Sequence, residues 1–172
     1  MKIELADPTS PESRQLLEAL SQTLQRITGS SGTASFDVRD VQDERACFAV
    51  ARLDTGEAVG CGALRPLAPG IAELKRMFAV PGSQGVGQVL LAFLEQQARA
   101  FGYEQLWLET RRVNERALRF YDRHGYVVID NFGRYVGRPE AVCLGKRLTG
   151  AERARDLPLD SPADSPVDSP PH

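Results

Sequence analysis

The chain has 172 residues, 42% of them hydrophobic, and a formal net charge of −2; that is enough apolar material for one domain with a core, and too little length for a second catalytic domain. Residues 1–149 carry 19 basic and 18 acidic side chains while residues 150–172 carry 2 and 5, so the acidity belongs to the tail and no clustered basic excess marks a nucleic-acid partner. Apolar runs fall short of the roughly 20 residues that span a bilayer, and the start Met1-Lys2-Ile3-Glu4 has no signal-like apolar region, so a cytoplasmic protein without a membrane partner is expected.

In chain order, Lys2 to Ala6 alternates like a short strand, and Ser10-Pro11-Glu12 reads as a helix start, with a capping serine and proline at the first helical position. The helix should reach Ile27, with Leu16, Leu17, Leu20, Leu24 and Ile27 on one stripe. After the Gly/Ser-rich stretch Thr28 to Thr33, Phe36 and Val38 return toward the core. Cys47 to Leu53 and Ala58 to Leu64 form a hairpin around Asp54-Thr55-Gly56-Glu57. A turn over Pro66 to Gly70 precedes a strand from Ile71 to Val80.

The period then changes. From Gly85 to Phe101, Val86, Val89, Leu90, Phe93, Leu94 and Ala98 follow a helical repeat that Gly102 ends. Leu106 to Leu108 reads as a buried strand, Asn114 to His124 as a helix closed by Gly125, and Tyr126 to Ile129 and Ala141 to Leu148 as the last strands. The order β-α-β-β-β-α-β-α-β-β is an α/β layout, an antiparallel meander feeding a strand-helix-strand crossover. Cys47, Cys61 and Cys143 sit in apolar, strand-like runs without metal-ligand spacing, and are expected to be reduced core residues. Beyond residue 149, Asp160-Ser161-Pro162, Asp164-Ser165-Pro166 and Asp168-Ser169-Pro170 repeat with little apolar side chain between them, so residues 150–172 are expected to be a disordered acidic tail after a single domain, 1–149.

The strongest local signal is Val80-Pro81-Gly82-Ser83-Gln84-Gly85-Val86-Gly87-Gln88, a glycine-rich turn between a strand and a helix. Glycines let several amides converge, and the helix start adds a positive dipole end, so an anionic phosphate suits it. Read alone, it is either such a cradle or a tight turn without a ligand. No Gly-Lys-Ser/Thr follows, which excludes a Walker loop, and the spacing fits a dinucleotide fingerprint poorly.

Residues from about Ala49 to Leu148 resemble the GNAT (general-control-related N-acetyltransferase) superfamily. The match is carried by Gly60-Cys61-Gly62-Ala63-Leu64, Ala72-Glu73-Leu74-Lys75-Arg76-Met77-Phe78, the glycine turn, Leu108-Glu109-Thr110 and the segment from Asn114 through Tyr121 to Gly125-Tyr126. The resemblance implies an α/β fold with a mixed, mostly antiparallel central sheet flanked by helices and splayed at a CoA site. It implies acetyl-CoA as co-substrate, an amine acceptor, direct transfer and no metal; the alternative is a catalytically weak CoA-sensing or protein-interaction module on the same fold. The sequence leaves open whether two copies form a homodimer.

By the same resemblance, the amides of Gln84, Gly85, Val86, Gly87 and Gln88 would hold the pyrophosphate, and the backbone of Phe78, Ala79 and Val80 would pair with the pantetheine arm like an added strand. Asn114 would hydrogen-bond the pantetheine region, Tyr121 would protonate the leaving thiolate, and Arg123 would meet the nucleotide phosphate of CoA. Against the family's Pro-x-x-Arg/Gln-Gly-x-Gly-x-Gly/Ala, the turn reads as two residues short, with Gly82 where Arg or Gln is expected, which predicts weakened CoA affinity. The attacking amine needs a base; Glu73, on the strand leading into the turn, is the first candidate and Glu109 the reserve. Strand alternation would put Glu73, Lys75 and Met77 on one face and Leu74, Arg76 and Phe78 on the other. His124 reads as a helix C-terminal residue favoured by the dipole rather than as a base.

Overall fold

The computed structural model describes residues 1–148; the tail expected at 150–172, and the boundary drawn at 149, lie outside the described residues. The elements are β1 (Lys2–Leu5), α1 (Pro11–Thr28), β2 (Cys47–Arg52), β3 (Ala58–Ala68), β4 (Ile71–Ala79), α2 (Val86–Ala100), β5 (Gln105–Arg111), α3 (Glu115–Arg123), β6 (Val127–Ile129) and β7 (Ala141–Arg147). Single 3₁₀ turns lie at Thr33–Ser35, Val38–Val41 and Gly133–Tyr135. The order of strands and helices is the one expected from the periodicities. The strands form one sheet in the order β1-β2-β3-β4-β5-β7-β6. Pairing is antiparallel for β1–β2, β2–β3, β5–β7 and β6–β7, and parallel for β4–β5.

Internal contacts divide the described residues into two compact units, Met1–Arg65 with Leu74–Gln97, and Pro66–Glu73 with residues 98–148. In the first, the Ser10 hydroxyl accepts the Ser13 N–H at 3.1 Å and Gly29, at φ 78°, ends α1. The buried stripe of α1, Leu16 and Leu20, packs with Phe48, Val50, Cys61, Ala63 and Phe78, and Leu17, Leu24, Phe36 and Val41 border that cluster. Ile27, expected on the stripe, is exposed, because the last turn of α1 runs past the cluster. Arg52 gathers β1 and α1 onto β2: Nε donates to Glu4 at 2.6 Å and Nη1 to Glu12 at 2.8 Å.

Two glycines in β3 set how closely β4 and α2 approach. A Cβ at Gly60 would stand 2.7 Å from Val86 Cγ1 and 2.8 Å from the Phe78 carbonyl oxygen; one at Gly62 would stand 2.6 Å from both Leu94 Cδ1 and Met77 Sδ. Such distances leave no room for a methyl group. On α2, Val86, Leu90, Leu91, Leu94 and Ala98 are buried, whereas Val89, read from sequence as part of the buried stripe, is exposed. The buried stripe runs through Leu91 instead.

In the second unit, Trp107 is fully buried among Leu67, Ile71, Ile129, Phe132, Tyr135, Ala141 and Cys143. Its indole N–H donates to the buried Gln105 Oε1 at 3.0 Å, which satisfies both polar groups. Strands expected to be short are longer: β3 continues through Pro66 to Ala68, leaving only Pro69-Gly70 for the turn, and β5 continues past Leu108 to Arg111. Proline's fixed φ suits extended backbone, so Pro66 does not break the strand.

Gly60→Ala is expected to lower stability by about 1–3 kcal/mol, the usual cost of overpacking, because one of the two clashing atoms is backbone and cannot rotate away. The urea midpoint of the variant against the parent chain measures it, and an unchanged midpoint would show that β4 yields at no cost.

Candidate active site

The glycine turn belongs to the first unit. Val80 closes β4 by donating its N–H to the Val59 carbonyl at 2.8 Å, and its own carbonyl accepts the N–H of Ser83 at 3.0 Å and the Ser83 hydroxyl. Gly82 and Gly85 are left-handed, at φ 89° and 75°, and a Cβ at either would meet nothing within 4 Å. Their requirement for glycine is thus conformational rather than steric. Gly85 caps α2, its carbonyl accepting the Val89 N–H at 3.2 Å. The N–H groups of Val86, Gly87 and Gln88 are the first of the helix, which has no i−4 carbonyl to offer them, and its first turn contains no acidic residue. Gln84 and Gln88 are exposed beside them, while Val86 is buried as the turn's anchor.

The reading that the turn is two residues short is a miscount of the spacing. With Gly85 as the cap, Pro81-Gly82-Ser83-Gln84-Gly85-Val86-Gly87-Gln88-Val89 has the full Pro-x-x-Arg/Gln-Gly-x-Gly-x spacing, and Gln84 fills the Arg/Gln position. The departure lies at Val89, where the pattern has Gly or Ala, and Val89 is exposed. The loss of a loop contact inferred at Gly82 therefore falls away.

Of the three residues expected to offer backbone to an extended ligand, Val80 has both its hydrogen-bonding groups engaged. Alternate strand residues direct these groups to opposite edges, so Ala79 is the one whose N–H and C=O point away from β3. Farther back, Arg76 has φ 54°, in the left-handed region, so the alternation expected from Glu73 to Phe78 is interrupted there. Its guanidinium donates to the carbonyls of Ser31 at 3.1 Å and Leu17 at 3.3 Å and to the Ser21 hydroxyl at 2.5 Å. Sequence reasoning gave Arg76 no role, and with Glu73 and Lys75 beside it in β4 no local signal set it apart.

The second unit holds the candidate acids and bases. The register of β4 with β5 is Ile71↔Gln105, Ala72↔Leu106 and Glu73↔Trp107, and it ends there. Glu73 is 1% exposed, which excludes a surface strand role. Glu109 pairs in register with Cys143, and Arg111, two residues on and so on the same face, approaches Glu109 at 3.2 Å. Burial pushes the Cys143 thiol up to about 12, and the charges of Glu109 and Glu73 add to the shift. Both carboxylates thus lie near one thiol, on the face that Phe132 and Tyr135 cover.

Tyr121 lies on the other face. Lys146, adjacent in β7 to Gly145 and so of opposite pleat to Cys143, sits 5.5 Å from the centroid of the Tyr126 ring, and Tyr126 meets Tyr121 edge-on at 5.5 Å. Tyr121 is buried, and desolvation pushes its phenol upward from the ordinary value. Asn114 caps α3, its Oδ1 accepting the Ala117 N–H at 3.3 Å. Arg123 is exposed in the last turn. His124 Nδ1 lies 2.7 Å from the Phe120 carbonyl at the end of α3, as a helix C-terminal residue would. Among the described residues, no group of three or more His, Cys, Asp or Glu is placed to hold a metal ion, and no helix is long and apolar enough to cross a membrane.

The model of the acetyltransferase (GNAT) family matches residues 14–126. The chain is 32% identical over 137 residues to the "IAA acetyltransferase" of Azospirillum brasilense, covering 78% of this chain and 89% of that protein. A solved structure from Klebsiella pneumoniae, provisionally named an acyl-CoA N-acyltransferase, is 32% identical and aligns with TM-score 0.71 over 86% of this chain and 97% of its own. A GNAT family acetyltransferase from Elizabethkingia anophelis, solved with acetyl-CoA bound, shares the fold at 18% identity, with TM-score 0.62 over 84% of this chain and 95% of its own. The chain belongs to the GNAT acetyltransferase family.

The cysteines are free and buried, as expected. Burial raises Cys47 to about 11 and Cys61 to about 12, and a thiol at 11 is only about one part in a thousand thiolate at pH 8. Iodoacetamide at pH 8 is expected to leave all three unlabelled in the folded protein and to label them after denaturation; rapid labelling of Cys143 in the native state would show that the face it occupies is open.

Proposed function

We propose that this chain transfers the acetyl group of acetyl-CoA to an amine by direct attack, with Glu73 as the base and Tyr121 as the donor to the departing sulfur. The observation that carries the reading is the start of α2: left-handed Gly82 and Gly85 present a helix N-terminus without an acidic first turn, and the partial positive charge there, about half an elementary charge, suits a pyrophosphate. The amides of Gln84, Gly85, Val86, Gly87 and Gln88 would hold it, with the Gln84 carboxamide adding a hydrogen bond. Ala79 would pair with the pantetheine amides, a role supported by the β4–β5 register ending at Glu73. Asn114 has its Oδ1 committed to the cap, so its part would be to donate from Nδ2 to a pantetheine carbonyl. Arg123 would meet the nucleotide phosphate.

Glu73 takes a proton from the ammonium, and the freed nitrogen attacks the thioester carbonyl carbon. As the N–C bond forms the C–S bond breaks, the nitrogen passes its second proton to water to leave the neutral amide, and the Tyr121 hydroxyl hydrogen-bonds the departing sulfur. Its raised value keeps Tyr121 fully protonated at neutral pH. A thiol titrates near 8.5, so complete transfer from a phenol at 10 or above would be uphill by roughly 2 kcal/mol or more; the hydroxyl therefore stabilises the thiolate by hydrogen bonding, and water supplies its proton. The reading of a catalytically silent CoA-sensing module rested on a shortened loop, and it loses that support.

Millimolar acetyl-CoA is expected to raise the melting temperature; absence of both a thermal shift and calorimetric heat would sink the assignment. In single-turnover transfer, Tyr121→Phe, which keeps the ring and deletes the hydroxyl, is expected to slow turnover roughly 10- to 1,000-fold with stability unchanged. Tyr121→Ala is expected to cost about 3–5 kcal/mol of stability as well. Full activity in Tyr121→Phe would leave the residue with packing alone.

A further inference from the structure

Arg76 is the buried charge that the transfer chemistry leaves unused. Its three hydrogen bonds go to two carbonyls and a hydroxyl, all neutral, and the one ionisable group acting on it is the Cys61 thiol. That thiol is raised to about 12 by burial and so carries no charge near neutrality. Among the described residues the cation therefore has no counter-charge, although desolvation works against it. A buried charge without a partner is costly.

The backbone adds to that cost. Arg76 is the only non-glycine residue described at positive φ, 54°, a conformation that disfavours any side chain by roughly 1–2 kcal/mol. As a mere brace between α1 and the Ser30–Thr33 segment, the side chain would need donors but no charge. These three hydrogen bonds leave two of the five guanidinium N–H donors over, Nε–H and one on Nη1, and the residue is half-buried rather than sealed. The chain also makes room for it: a Cβ at Gly32 would stand 3.1 Å from Arg76 Nη1.

We propose that Arg76 receives the carboxylate of the acceptor, so that the acceptor is an amine bearing a carboxylate. A single cation matches a monoanion in charge, and Nε–H remains to donate one hydrogen bond to it. Arg76 lies three residues from Glu73, the proposed base, in the same strand β4, so an acceptor with its amine at the base and its carboxylate on the cation would be a small amino acid. The identity of the ligand as an acceptor rests on the acetyl-transfer reading; the anion site itself does not.

The probes are glycine, β-alanine, 4-aminobutyrate and phenylalanine, each beside its carboxamide, at millimolar concentration. Two readouts are taken on the full chain: the melting temperature without acetyl-CoA, and thiol release with it. In the wild type at least one carboxylate is expected to raise the melting temperature while its carboxamide does not, and to be acetylated with at least tenfold higher kcat/KM. Arg76→Met should remove the difference, and Arg76→Lys, which keeps the charge, should retain part of it. Should Arg76→Met fail to fold, the wild-type pairs still decide. Carboxylate-selective binding without thiol release from any amine would uphold the anion site and overturn the transferase reading. Equal acetylation of carboxylate and carboxamide would do the reverse, and absence of binding by every carboxylate would overturn the Arg76 assignment.

Discussion

One strand has to serve two cores. Residues Ile71–Glu73 of β4 belong with Trp107 and its cluster, while Leu74–Ala79 belong with the unit that holds α1 and α2. A regular pleat could not be read straight through such a strand, and at Arg76 the backbone turns into the left-handed region. Upstream of that point the strand supplies a buried carboxylate, Glu73; at it, a half-buried cation; downstream, the backbone that leads into the glycine turn. The chemistry proposed for the chain draws on each of those three stretches.

The burial of charge is the common thread in what the site costs. Glu73 is 1% exposed, Glu109 is flanked by Arg111 at 3.2 Å, and Arg76 is held by neutral acceptors. Replacing such groups by apolar side chains of similar volume commonly leaves a protein as stable or more so, so their presence is hard to ascribe to folding. Close packing elsewhere supports them: Gly60 and Gly62 let Val86, Met77 and Leu94 approach β3.

The order of elements was legible because each carries a strong local signal. The Ser10-Pro11 start of α1, the Gly56 turn and the period change at Gly85 depend on residues close in sequence, and the structure has them where they were read. What was missed depends on contacts between distant segments. Val89 matches the helical period yet is exposed, because burial is decided by where the neighbouring strand lies. The extension of β3 through Pro66 and the left-handed Arg76 leave no trace in local composition. The loop length was misjudged for a different reason, a miscount: Pro81, Gln84, Gly85 and Gly87 already stand at the pattern's spacing in the sequence. For the site, the residue types were legible, whereas the grouping of Glu73, Glu109 and Cys143 on one face and of Tyr121 on the other was not.

That separation of faces has a kinetic meaning. Glu73, proposed to deprotonate the incoming nitrogen, and Tyr121, proposed to meet the outgoing sulfur, lie on opposite faces of the sheet, so in that proposal neither reactant would have to vacate its place for the other. Such an arrangement belongs to a ternary complex, in which both substrates are bound before any bond changes. Initial-rate plots would then intersect rather than run parallel, and the enzyme would have no use for an acetylated form of itself, in keeping with three cysteines too deeply buried and too weakly acidic to carry the group.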